Sequence, residues 1–308
     1  MSAASASASA VGEDDAIVLS IRNLRLAFSG LAGPIEALRG VSLHVRRREK
    51  VALVGESGSG KSTIARLVLG LLQDQGASLA GSVRLGSREI LGDQSMIRKA
   101  RGERVTMIFQ DAASALNPTF TIGDQFREVL RRGDPAISNA EAIRRARAAL
   151  TDVSLHEPDR VLASYVFQLS GGMSQRVMIA LALANNPDLV IADEPGSSLD
   201  VKVQAQTLHL MNDLVGRRGA SVLFISHNLG VVREFADRVY VIYRGRIVEH
   251  ATAAQLFAGA RHPYTRALLA AIPKIDQTLL PDAPETSSAF SDPLIEHPGC
   301  AEPLEASA

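Results

Sequence analysis

The run Gly55-Glu-Ser-Gly-Ser-Gly60-Lys61-Ser62 restricts this chain more than any other feature. A short apolar segment, Val51–Val54, leads into it, as a buried strand does. A helical pattern follows over Thr63–Leu72, with Ile64, Leu67, Val68 and Leu71 on one face. The spacing G-x-x-x-x-G-K-[ST] between a strand and a helix predicts a loop that cradles phosphates. Glycines let successive backbone N–H groups turn inward, and the helix N-terminus adds the positive end of its dipole. Gly55, Glu56, Ser57, Gly58, Ser59, Gly60, Lys61, Ser62 and Thr63 are therefore the candidate nucleotide-binding residues. Lys61 would supply charge to the β- and γ-phosphates, and the Ser62 hydroxyl is placed to ligate Mg2+.

A second apolar run, Leu189–Ala192, ends in Asp193-Glu194. Carboxylates at the C-terminal end of a parallel strand face the ligand crevice of an open α/β sheet. Asp193 is the candidate Mg2+ acid, and Glu194 the candidate to polarise an attacking water. Further strands are expected at Ile17–Arg22, Val41–Val45, Val105–Phe109 and Val222–Ile225. Val239–Tyr243 and Arg246–Glu249 flank Arg244-Gly245 as a hairpin. Helical patterns cover Thr121–Leu155, Ser170–Ala184, Val201–Arg218, Ala253–Ala258 and Pro263–Ala271. Strand–helix alternation predicts an α/β fold with a mainly parallel sheet, and the helical block near 111–170 a separate lobe.

Composition narrows the function. Lys plus Arg and Asp plus Glu both count 33, so the chain lacks the basic excess that coats nucleic acid. Cys300 is the sole cysteine, which rules out an internal disulfide and any four-cysteine metal or iron–sulfur site. No apolar run approaches the roughly 20 residues of a spanning helix. Residues 1–16, Ala/Ser-rich and then acidic, lack a basic start and an apolar core, and read as a disordered leader rather than a secretion signal. From Lys274 onward Pro, Ser, Glu and Asp predict a loosely ordered tail. A cytoplasmic protein whose membrane role needs a partner is expected.

Leu169-Ser170-Gly171-Gly172-Met173-Ser174-Gln175-Arg176 opens a helix with a second array of backbone N–H groups. One nucleotide needs one cradle, so the second makes sense if it closes over a nucleotide on another subunit. With this string, residues 17–272 resemble the ATP-binding cassette ATPases. The parts fall in that family's order: Gly55–Ser62, Gln110 in M-I-F-Q-D, Leu169–Gly172, Asp193–Pro195, Ser197–Asp200 and Ile225–His227. The resemblance implies a P-loop NTPase fold with a RecA-like core, an N-terminal antiparallel β subdomain and an α-helical subdomain at about 111–185. It implies ATP as substrate, Mg2+ as cofactor and a head-to-tail dimer around two ATP molecules. Ser170, Gly171 and Gly172 would contact the γ-phosphate on the opposite subunit, and Asp200 would bridge the subunits. Gln110 would sense Mg2+ and the water and link to a membrane partner, and His227 would touch the γ-phosphate. Phe28 resembles the aromatic that stacks on adenine; in isolation it fits the core equally well.

Gln110–Pro118, Ser170–Ala180 and His262–Pro273 further resemble the oligopeptide/dipeptide/nickel importers, and Met173 resembles the D-type member of their paired D/F ATPases. That implies a peripheral subunit on the cytoplasmic face of the plasma membrane, powering uptake of a peptide or metal-chelate ligand. Its partners would be two permease subunits, a solute-binding protein outside the membrane and a second ATPase, F-type or a second copy; nucleic acid is not among them. Two departures stand out. Gly196 follows D-E-P where the family usually has Thr, which is expected to loosen the loop before Ser197. Relatives with a Cys-rich C-terminal cluster cannot be matched by Cys300 alone. The competing reading is a soluble or regulatory cassette ATPase not coupled to import. The stretch from Gln110 to Ser170 is too short for the long coiled coil of nucleic-acid-maintenance relatives.

Overall fold

The structure, a computed structural model, describes residues 17–30, 33–72, 77–197, 199–271, 290 and 293–298. The expected leader at 1–16, most of the expected tail and Cys300 lie outside the described residues. Two sheets organise the chain. The first is antiparallel, with β1 (Ile17–Gly30) between β2 (Gly33–Arg46) and β4 (Ser78–Leu85), and β5 (Arg88–Glu89) at the edge. Bulges between Ile21 and Leu24 break the two-residue alternation, which is why only Ile17–Arg22 is legible as a strand in the sequence.

The second sheet contains β3 (Lys50–Val54), β6 (Val105–Ile108), β7 (Leu189–Asp193), β8 (Ser221–Ser226), β9 (Arg238–Tyr243), β10 (Arg246–Thr252) and β11 (Ile295–Glu296). Its order is β11-β10-β9-β3-β8-β7-β6. Strands β9, β3, β8, β7 and β6 run parallel, pairing Val54 with Ser226, Asp193 with Ile225 and Ile108 with Ala192. Their C-terminal ends therefore share one rim. Burial on both faces explains their near-continuous Val, Ile and Leu.

One apolar core, with Leu53, Ile64, Leu67 and Ile191, fills the space between the sheets and α1 (Lys61–Val68). Helix α1 stops short of the expected Leu72 because Gly70, at φ +61, turns the chain. After α2 (Gln94–Ala100) and β6 comes the helical block: α3 (Ala112–Ala115), α4 (Ile122–Gly133), α5 (Asn139–Asp152), α6 (Pro158–Ala163) and α7 (Gly171–Leu183). The single helical segment expected over Thr121–Leu155 is split at Asp134-Pro135, since proline lacks an N–H and pushes its predecessor out of helical geometry. Phe126 of α4 is fully buried among α5, α6 and α7 residues. Asn185 joins the block to the sheet layer, its amide donating to Val129 O at 2.7 Å and Gly102 O at 2.9 Å.

Helices α8 (Val201–Arg218), α9 (Leu229–Phe235), α10 (Ala253–Gly259) and α11 (Pro263–Ala270) complete the second face. The expectation of a loosely ordered C-terminal tail needs correction at its described residues. Glu249 pairs with Ile295 in parallel register, and Phe290 is buried against the Tyr243 and Tyr264 rings. Composition hid this, because a two-residue strand and one aromatic anchor leave no periodic pattern.

Candidate nucleotide site

The phosphate loop bridges β3 and α1 at the shared rim. Gly55 follows the strand where a Cβ would stand 2.2 Å from Ile242 O, so no other residue fits without moving β9. Gly60 caps α1 in the left-handed region, and α1 starts at Lys61 itself. Glu56, Ser57 and Gly58 are exposed, whereas Ser59 and Lys61 are buried. The Ser59 hydroxyl is buried without a hydrogen-bond partner among the described residues. Lys61 Nζ donates to Gly55 O and Glu56 O, both at 2.8 Å. An ammonium has three donors, so one remains for a phosphate. Burial pulls the Lys61 pKa down, opposed by the carboxylates of Glu194, Asp193 and Glu56.

At the end of β7, Asp193 accepts the Ser62 hydroxyl proton at 3.0 Å. Burial pushes the Asp193 carboxyl up, with the Ser62 hydrogen bond pulling the other way. A hydroxyl and a poorly compensated carboxylate are hard oxygen donors that suit Mg2+. Among the described residues no cluster of three or more His, Cys, Asp or Glu could form an all-protein metal cage. Mg2+ is bound by one or two protein oxygens together with phosphates and water, which Ser62 and Asp193 match.

Glu194 departs from the strand with φ +48, a costly conformation for a non-glycine residue, and its N–H donates to Ile225 O. This turn brings its carboxylate to His227 on the neighbouring strand end, Nδ1 to Oε1 at 3.0 Å. His227 is mostly exposed, so it has room to engage a ligand. Gly196 sits at φ +82 in the next turn, closed by Leu199 N–H to Gly196 O at 3.0 Å. At this φ a threonine would be strained, whereas glycine is not.

Gln110 lies two residues beyond β6, exposed at the same rim. Phe28, half-buried on β1, packs against the inter-sheet core on one side. Ser170 caps α7, its hydroxyl accepting the Met173 N–H at 3.3 Å. Asp200 caps α8 in the same way, accepting from Val203 N–H at 2.9 Å. The two caps adjoin: a Cβ on Gly172 would meet Val203 at 3.1 Å, and one on Gly171 would meet Leu199 at 3.4 Å. The structure thus makes two groupings, Lys61–Ser62–Asp193 with Glu194–His227 on the rim, and Ser170–Gly172 with Asp200. Thr63 is half-buried in the first turn of α1. The sequence showed none of the pairings Ser62–Asp193, Glu194–His227 or Gly172–Val203, because the first two are made by strand order and the third by the packing of α7 on α8.

The family described as "ABC transporter" matches residues 38–197, and "Oligopeptide/dipeptide transporter, C-terminal region" matches 248–301. A probable peptide ABC transporter ATP-binding protein of Sinorhizobium fredii is 43% identical over 289 residues, 92% of this chain and 85% of that protein. An oligopeptide transport ATP-binding protein of Bacillus subtilis is 46% identical over 261 residues, 84% of this chain and 79% of that protein. Among solved structures, a dimeric ATP-binding cassette in a post-hydrolysis state with ADP and Pi matches at TM-score 0.68 and 29% identity, over 76% of this chain and 98% of its own.

Proposed function

The chain belongs to the ATP-binding proteins of ABC transporters, in the branch that carries the oligopeptide/dipeptide C-terminal region, and from that membership we propose that it drives uptake of peptides or related ligands. It is an ATPase. The observation that carries the reading of its site is the convergence of Lys61, Ser62, Asp193, Glu194 and His227 on one rim of parallel strands.

In this reading the backbone of Gly55–Thr63 wraps the ATP phosphates and Lys61 directs its third N–H to them. Ser62, Asp193 and Gln110 would hold Mg2+, which supplies positive charge to offset that developing on the transferred phosphoryl group. Glu194 accepts a proton from the attacking water, and His227, hydrogen-bonded to the same carboxylate, fixes its orientation and reaches the γ-phosphate. Phe28 supports the adenine. Ser170, Gly171, Gly172 and Asp200 form the surface that closes over the nucleotide of a second ATPase subunit. Two cradles on separate elements, each built from backbone N–H groups at a helix start, support a site completed by two chains.

That second subunit is an F-type ATPase or another copy of this chain. Among the described residues no helix is long and apolar enough to cross a membrane. From family membership the assignment includes two permease subunits, with this chain peripheral on their cytoplasmic face, and a solute-binding protein that delivers the ligand. Glu194→Gln tests the chemistry: it keeps the shape, removes the base, and should abolish steady-state ATP turnover while ATP still binds. Turnover near the wild-type rate would remove Glu194 from this role.

A further inference from the structure

The His262-Pro263-Tyr264 segment marks the importer branch in the sequence, yet the ATP chemistry above does not use it. Tyr264 is fully buried, with ring centroids 4.5 Å from Tyr243 and 5.4 Å from Phe290. Its hydroxyl accepts the backbone N–H of Glu56 at 3.0 Å, inside the phosphate loop. That N–H belongs to the peptide unit whose carbonyl is Gly55 O, and Gly55 O accepts from Lys61 Nζ at 2.8 Å. In a planar trans peptide the N–H and C=O point in opposite directions. One rigid plane is thereby held at one end by Tyr264 and at the other by the Lys61 ammonium.

Building on the reading of Lys61 as the phosphate-binding lysine, we propose that Tyr264 is a positioning residue that sets Lys61 through the Gly55–Glu56 peptide. The C-terminal region is built to hold Tyr264 in place. His262 caps α11, its Nδ1 accepting the Tyr264 N–H at 3.2 Å, and Pro263 occupies the first helical turn, where its missing N–H costs nothing. Glu249, fully buried in β10, accepts the N–H groups of Arg261 at 2.7 Å and His262 at 3.2 Å. His297 donates to the same carboxylate at 2.6 Å, and its own N–H donates to His250 O beside β11. Everything from Glu249 to His297 lies within the matched C-terminal region. This segment therefore reaches the nucleotide site by a continuous set of contacts: His297 to Glu249, Glu249 to the 261–262 amides, Tyr264 to Glu56, and Gly55 to Lys61.

Tyr264→Phe isolates the hydroxyl, because the ring and its tilted and edge-on packing against Tyr243 and Phe290 remain. It leaves the Glu56 N–H without an acceptor and the peptide plane loose at that end. ATP affinity measured by titration calorimetry should weaken three- to ten-fold, the span of one net hydrogen bond, with the melting temperature little changed. Phe290→Leu is the structural contrast: it loosens the aromatic packing but keeps the hydroxyl, so the melting temperature should fall while ATP affinity holds. Wild-type ATP affinity in Tyr264→Phe would overturn the proposal, as would equal affinity losses in the two variants. Lys61→Ala, titrated alongside, separates this from the site reading beneath it. If Lys61→Ala loses affinity and Tyr264→Phe does not, the positioning role alone fails; if Lys61→Ala also binds as wild type, the site reading fails.

Discussion

Lowering the pH from 7.5 to 5 should remove about 4 kcal/mol of folding stability through two buried histidines, at about 2 kcal/mol each. His44 of β2 and His250 of β10, each nearly inaccessible, flank the buried Arg238 guanidinium of β9. Arg238 Nη1 donates to His250 Nε2 and to the Tyr240 hydroxyl, both at 2.9 Å, and Arg238 is paired with Glu49 at 2.8 Å. An arginine N–H can be received only by a lone pair, so His250 must be neutral. Tyr240, already accepting from Arg238, gives its own proton to His44 Nδ1 at 3.2 Å, so that nitrogen is unprotonated too. Burial, then the Arg238 charge, holds both imidazoles at about 3 instead of 6.5. Because the folded values lie below the unfolded ones, the unfolded chain binds more protons at acid pH. The contribution is complete above pH 6.5 and is lost as pH falls toward 3. Against a typical stability of about 5–15 kcal/mol this is a large share. Urea titrations followed by far-UV circular dichroism at pH 7.5 and 5.0 measure it. His44→Asn supplies a side-chain oxygen for the Tyr240 proton and deletes one titrating group, so its loss should be about 2 kcal/mol. Carboxylate terms are common to both proteins and cancel in the comparison. Equal pH losses in the two proteins would refute the neutral-histidine argument.

Two further outcomes follow from burial and charge. Lys61→Ala should weaken ATP binding ten-fold or more, about 1.4 kcal/mol at least, by titration calorimetry, with a near-native circular dichroism spectrum because the glycines shape the loop. Phe126→Ala should lower unfolding stability by about 3–5 kcal/mol, measured by denaturant titration, since the ring is fully enclosed in the helical block.

The parallel sheet and the phosphate loop were legible because their signals are local. Apolar strands of four or five residues and the G-x-x-x-x-G-K-S spacing need no knowledge of distant contacts. Helix α8 was readable to the residue, since Asp200 caps it and Gly219, at φ +65, ends it. Strands β4, β5 and β11 and helices α2 and α9 were not anticipated, being short and placed by packing on other elements. The residues of these pairs came from motifs, but their pairings did not. Ser62 meets Asp193, and Glu194 meets His227, only through the order β3-β8-β7. Tyr264 at the phosphate loop was hidden for the same reason: the contact spans most of the chain. The positive φ of Gly196 was likewise invisible, because nothing local in the sequence marks a left-handed residue there.

In the proposed assembly two chains complete each ATP site, with Ser170–Gly172 of one closing over the phosphate loop of the other. Sedimentation velocity of the Glu194→Gln protein with ATP and Mg2+, with and without Ser170→Arg, tests it most directly. Ser170 is an exposed helix cap, so arginine there costs the fold only about 1 kcal/mol. Lys61, Ser62 and Asp193 are untouched, and ATP should bind both proteins. The account predicts an ATP-dependent dimer for Glu194→Gln, with itself or with an added F-type ATPase, and its loss when Ser170→Arg is added. Equal dimers from the two proteins would contradict it, as would monomers throughout with the F-type ATPase present.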